Sequence, residues 1–153
     1  MFKIDLSGIL LELNIRDYNV SESEDLDDHW CKVDFSFSSE EWLNYRKENY
    51  EVITSREIET LANSIEMLLK NELNDICSIC LIEPDFSFKL YPSIYMEWSV
   101  SFWNHGLTDN FLSVTLYRDD LEYIVTYLNY VMGKLSSSNP KVLSLVREGF
   151  LEL

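Results

Sequence analysis

Three groups of side chains carry chemistry by type and spacing. Cys77-Ser78-Ile79-Cys80 is a CxxC pair, the spacing of redox dithiols and of half a zinc knuckle. A redox pair draws reactivity from a helix N-terminus, whereas this one leads into an apolar strand. Zinc needs two further ligands, and Cys31, His29 and His105 stand at no knuckle spacing from it. Buried or half-buried inert thiols are the expectation, with no metal and no cofactor. His29 and His105 titrate near neutrality, yet neither has a Ser, Cys or second His at a recognisable catalytic spacing. The expectation is two solvated loop histidines and no catalytic residue. The third group is acidic: Glu22, Glu24, Asp25, Asp27 and Asp28 place five carboxylates in seven residues. An EF-hand loop needs a central Gly and a terminal Glu, and both are missing. The run is either a solvated loop or a docking surface for a basic protein. Walker, Rossmann, nucleophile-elbow and HExxH patterns do not occur.

The whole chain shares the sign of that run. Its 153 residues hold 12 Lys and Arg against 27 Asp and Glu, a formal charge of −15. Phosphate backbones and anionic membrane surfaces recruit Lys and Arg, so direct binding to nucleic acid or to a membrane is not expected. A basic protein is the partner this charge attracts. The surplus is graded: residues 1–28 hold 8 acids and 2 bases, residues 110–153 hold 5 and 4. Met1 opens onto Phe2-Lys3-Ile4-Asp5 without a basic leader, and apolar stretches break well before the ~20 residues a bilayer requires. With three cysteines and no framework spacing, reduced thiols in a cytoplasmic protein are expected.

The elements that position these groups follow from hydrophobic period. Residues 9–18 alternate, with Leu11, Leu13 and Ile15 inward, and Trp30–Phe37 alternate through Cys31, Val33, Phe35 and Phe37. Residues 42–53 are ambiguous and are read as a strand ending at Ile53. Thr54 and Glu57 form a capping box that opens a helix to about Lys70, with Ile58, Leu61, Ile65, Leu68 and Leu69 on one stripe. A meander follows: Ile79–Glu83, Phe86–Tyr91, Tyr95–Trp103 and Phe111–Tyr117, with Gly106 in the turn before the last strand. Asp119 and Asp120 then complement the dipole of a helix running to about Leu135. Residues 136–140 are a short linker, and Asn139-Pro140 caps a last short helix. The expectation is one α+β domain over 1–153, a single antiparallel meander sheet packed on one face by two main helices and a short C-terminal helix.

If Met96, Trp98, Val100 and Phe102 face the helices, the opposite face presents Ser87, Tyr91, Tyr95, Ser99, Ser101, Trp103, Phe111, Ser113, Thr115 and Tyr117. Short hydroxyl residues flanked by rigid aromatics make a binding surface of low entropic cost. Residues 1–20 or the last helix, laid over it, would make the same face ordinary core. Tyr95, Trp103 and Tyr117 are the candidate anchors. Besides a protein partner, the face suits a homodimer or adaptor contact, and a pocket between sheet and helices would suit a small molecule.

Trp30 opening a strand, then TSREIETLANSIEMLL, IEPDFSFKLYP and LSVTLYRDDLEYIVTYLNYVMGKL follow in an order that resembles the WapI-type immunity proteins of bacterial polymorphic toxin systems. The resemblance covers most of residues 9–135. Its most telling part is Glu83-Pro84 ahead of Phe86-Ser87-Phe88. It implies a cytoplasmic, non-enzymatic protein that binds and neutralises a cognate toxin domain, one that this acidic chain would favour being basic.

Overall fold

A computed structural model describes residues 1–20 and 29–153. Eight strands and three helices run in the order β1 (Phe2–Asp5), β2 (Leu10–Arg16), β3 (Lys32–Ser39), β4 (Leu43–Tyr50), α1 (Ser55–Leu69), β5 (Cys77–Cys80), β6 (Phe86–Tyr91), β7 (Tyr95–Trp103), β8 (Leu107–Tyr117), α2 (Arg118–Val131) and α3 (Pro140–Arg147). The α+β class holds, but the expected single sheet is two. β1–β4 form one antiparallel meander and β5–β8 another. Each has its own apolar face, and the two bury those faces by meeting side chain to side chain rather than by joining ladders. The Phe35 ring lies edge-on to Phe86 at 4.9 Å, and Phe37 edge-on to Trp98 at 5.5 Å.

The first sheet follows its two-residue period. Phe2, Ile4, Leu11, Leu13, Ile15, Val33, Phe35 and Phe37 are buried. Their neighbours in sequence form a charged outer face. Lys3, Glu12, Ser36 and Arg46 stand in one cross-strand row. Glu12 accepts from Ser36 Oγ at 2.9 Å and pairs with Arg46 at 3.3 Å and Lys3 at 3.8 Å. Beside this row the Arg16 guanidinium grips Asp34, with one contact at 3.0 Å, and holds its carboxyl below the usual aspartate range. Asp34 also accepts the Asn49 backbone N–H at 2.7 Å. Asn49 sits at φ 52°, where the β3–β4 register shifts, and Asn is among the residues that tolerate this conformation.

Several expected boundaries move for local reasons. β1 is an addition to the expected strands, because four residues give too short an alternation to read from sequence. β3 begins at Lys32 instead of Trp30, which makes only an isolated bridge to Thr54. β5 occupies Cys77–Cys80 rather than Ile79–Glu83, because the Ile82 N–H leaves the ladder and donates to Glu57 Oε1 at 2.7 Å. β8 starts at Leu107, its turn compressed by the Asn104 N–H to Gly106 carbonyl bond at 2.9 Å. α2 stops at Val131 instead of about Leu135, because Gly133 at φ 71° turns the backbone left-handed.

The capping box is as expected. The Glu57 N–H donates to Thr54 Oγ1 at 3.2 Å, and the Thr54 N–H donates to Glu57 Oε2 at 2.9 Å. α1 and α2 pack on each other and on the inner face of β6–β8. Ile58, Leu61, Ile65, Leu121, Ile124 and Leu128 are buried there. Asn139 caps α3 by accepting the Lys141 N–H at 2.9 Å. The chain then returns to β1: Leu151 bridges Phe2, the Lys3 N–H donates to the Phe150 carbonyl at 2.8 Å, and the Glu152 N–H to the Met1 carbonyl at 2.9 Å.

Tyr127 of α2 fastens the first sheet to the helices. Its ring stacks on Phe2 at 5.0 Å and its buried hydroxyl accepts the Ile15 N–H at 2.9 Å. Tyr127→Phe orphans that N–H and is expected to cost about 1–3 kcal/mol in a urea titration. An unchanged midpoint would show that the bond contributes nothing.

Asp85 poses the opposite case. It is 1% exposed, and neither of its carboxylate oxygens has a hydrogen-bond partner among the described residues. Burial first, and then the Glu83 charge, push its carboxyl above the ordinary 3.8. The folded state therefore holds the proton more tightly than the unfolded chain, and stability falls as pH rises from about 4 through the raised value. Asp85→Asn is expected to gain stability relative to the parent as pH climbs from 4 to 8. Parallel stability-pH curves for the two proteins would contradict this.

Candidate partner-binding face

The two outer faces differ in what they leave unspent. On the first sheet Lys3, Arg16 and Arg46 are matched with Glu12, Asp34, Glu48 and Glu152. On the second sheet the strand registers stack short polar side chains into rows. Cys80, Ser87, Ser99 and Ser113 lie side by side, and Ser78, Lys89, Glu97 and Thr115 form the next row. Ser99 Oγ lies 3.5 Å from Ser113 Oγ. A third row, Tyr91, Tyr95 and Tyr117, borders one side, and the Ser101–Phe111 pair borders the other.

Alternation produces this face. Met96, Trp98, Val100, Val114 and Leu116 are buried on the inner side, which obliges the residues between them to point outward. Phe111 is 67% exposed and Tyr117 61%. The alternative in which residues 1–20 or the last helix cover this face is not what the fold adopts. Residues 1–20 build the first sheet, and α3 packs on α2.

The sequence-derived anchors take three different positions. Tyr95 is half-buried and stacks on Tyr91 with ring centres 4.4 Å apart. The Tyr91 hydroxyl donates to Glu97 at 3.0 Å, and desolvation followed by that carboxylate pushes it up. Tyr117, directly across from Tyr95, is the most open of the three. Trp103 lies past a register shift at the strand end, half-buried. Its backbone N–H donates to the Tyr45 hydroxyl at 3.2 Å, while its indole N–H is buried and unpartnered among the described residues. Trp103 thus closes the boundary between the sheets at the rim of the face. Glu22, Glu24, Asp25, Asp27 and Asp28 lie outside the described residues.

The remaining chemistry is dispersed. His105 is exposed at φ 57° in the β7–β8 turn, and His29 uses its carbonyl to accept the Ser55 N–H at 2.9 Å. Cys31 is buried beside Ser55 Oγ at 3.6 Å, and burial pushes its thiol up. Cys77 is half-buried and Cys80 exposed at the end of the serine row. Among the described residues no three His, Cys, Asp or Glu converge as a metal site, and no helix is long and apolar enough to cross a membrane. A cleft of about 670 Å³ lies among α1, α2 and α3 and mixes Glu66, Lys70, Glu122, Asn129 and Lys141. Sequence reading missed Trp42, which stands at the β3–β4 turn 66% exposed. The Glu40-Glu41-Trp42 triplet was the available signal, hidden by the ambiguous period of residues 42–53.

Arrays of hydroxyls and aromatic rings give hydrogen bonds and contact area, and they present no nucleophile with its base. Thiol access offers a direct check on this face: an aromatic disulfide reagent is expected to modify Cys80 in the native protein and Cys31 only after unfolding. Equal reaction rates would contradict the difference in burial between the two thiols.

A family model for the WapI-like immunity proteins matches residues 1–136. No curated protein and no solved structure matches the chain.

Proposed function

Because the chain belongs to the WapI-like immunity protein family, we propose that it protects its own cell by binding a cognate toxin domain in the cytoplasm and covering that domain's working surface. The match over residues 1–136 carries this reading, since an immunity protein has a toxin as its counterpart. The rest is an argument from charge and surface. With −15 on 153 residues, a basic toxin domain is the counterpart drawn in at long range. Glu22, Glu24, Asp25, Asp27 and Asp28 supply a third of that surplus and steer the encounter. Tyr95, Tyr117 and Trp103 then supply contact area at the outer face of the second sheet. Protection works by occlusion, with no substrate turned over.

The exposure of Phe111 and Tyr117 supports a second reading, a homodimer or adaptor joined through the same face. Light scattering separates the two. A monomer fits toxin capture, and a stable dimer broken by Tyr117→Arg assigns the face to a second copy.

The decisive experiment is co-expression with toxin domains taken from reading frames that flank the gene for this chain. Cells are expected to survive. Changing all five carboxylates of residues 22–28 to amides is expected to slow association and flatten its dependence on salt. Death of cells carrying both proteins would reject the function. Salt-insensitive association unaltered by the five changes would reject the electrostatic part.

A further inference from the structure

Two hairpins of different sheets meet through the residues beside their turns: β3–β4, which reverses at residues 40–42, and β7–β8, which reverses at 104–106. Their neighbours fix them together. The Trp103 N–H donates to the Tyr45 hydroxyl at 3.2 Å, and the Tyr45 ring meets Phe102 at 4.8 Å. The Ser101 N–H donates to the Asp85 carbonyl at 2.9 Å. Apolar side chains stand out in solvent on these turns, Trp42 at 66% and Leu107 at 53%. A tryptophan held that far from the core adds little to folding, and tryptophan is the residue type most enriched among interface hot spots.

The turns are also of one sign. Residues 39–43 and 103–111 expose Glu40, Glu41 and Asp109 and hold no Lys or Arg, and Arg46, the next cation along β4, is engaged by Glu12 and Glu48. The nearest lysine on β4, Lys47, sits 5.7 Å from the ring centres of both Tyr45 and Tyr50.

We infer that this end is an interaction surface for a basic protein, with Trp42 as its anchor entering an apolar recess rimmed by Lys or Arg. The inference rests on the toxin-binding function and gives it a second contact region beyond the outer sheet face. Charge selects the occupant. Phosphate backbones are repelled by the same carboxylates, and a two-fold contact between copies would set Glu40 and Glu41 against like charges. A cationic surface gains from both the ring and the acids flanking it.

The toxin domain from which this chain protects cells in the co-expression experiment is the probe, titrated calorimetrically and by stopped flow against the 153-residue protein and its variants. Trp42→Ala is expected to weaken binding by about thirtyfold or more, mainly through faster dissociation. Glu40→Gln with Glu41→Gln is expected to slow association and reduce its salt dependence. Because Trp42 is exposed, both variants should keep the parent's circular dichroism and melting temperature, so weaker binding is not a folding defect. The emission difference between the parent and Trp42→Phe isolates this indole, and it is expected to shift to the blue on complex formation. If the parent binds and Trp42→Ala binds as tightly, the anchor is overturned while toxin capture stands. If the parent neither binds nor protects, both fall. A dimer dissolved by Trp42→Ala gives the surface to a second copy and overturns the assignment to a basic partner.

Discussion

Among the described residues the two sheets share no ladder, so their union depends on rings meeting rings. Phe35, Phe37, Phe86 and Trp98 form a continuous cluster, with Phe86 and Trp98 centred 5.0 Å apart and nearly perpendicular. Edge-to-face pairs add about 0.5–1.5 kcal/mol each beyond the area they bury, and their geometry fixes one relative orientation. Everything displayed outward inherits that orientation. The inner positions of β6–β8 are occupied by this cluster and by the helices, so the serines and tyrosines between them must face solvent. Tyr45 and Phe102 extend the same contact to the hairpin ends.

Electrostatics divides the surface in a complementary way. On the first sheet Lys3, Arg16 and Arg46 are engaged by local carboxylates, and Lys32 is likewise paired with Glu51. Pairs this exposed contribute little to stability individually. Their larger effect is to remove positive charge from circulation, so that the acids elsewhere meet few compensating bases. A protein of this composition presents attraction for cations over much of its outside while its first sheet stays nearly neutral.

Local signals were legible in the sequence where one interaction dominates. The Thr54–Glu57 box, the Asn139 cap and the inward sets Cys31/Val33/Phe35/Phe37 and Met96/Trp98/Val100 all follow from period or capping chemistry between near neighbours. The division into two sheets was not legible, because alternation specifies which side of a strand is apolar and not which other strand it pairs with. Strand ends were decided by distant groups: Glu57 takes the Ile82 N–H twenty-five residues away and ends β5 early. The aromatic row of the candidate face was readable from alternation alone. Trp103 was not readable as a boundary residue, since its place depends on Tyr45, fifty-eight positions earlier.

The pairing of Phe2 with Leu151 sets a schedule for the first sheet. β1 is synthesised well ahead of residues 150–152, the segment that pairs with its outer hydrogen-bonding edge. At roughly 5–20 residues per second, that interval is on the order of ten to thirty seconds on the ribosome. Throughout it a newly made strand carries Phe2 and Ile4 beside an unsealed edge, the kind of template on which nascent chains cross-associate. Lys3 and Asp5, alternating with those two apolar residues, place charge along that edge during the wait.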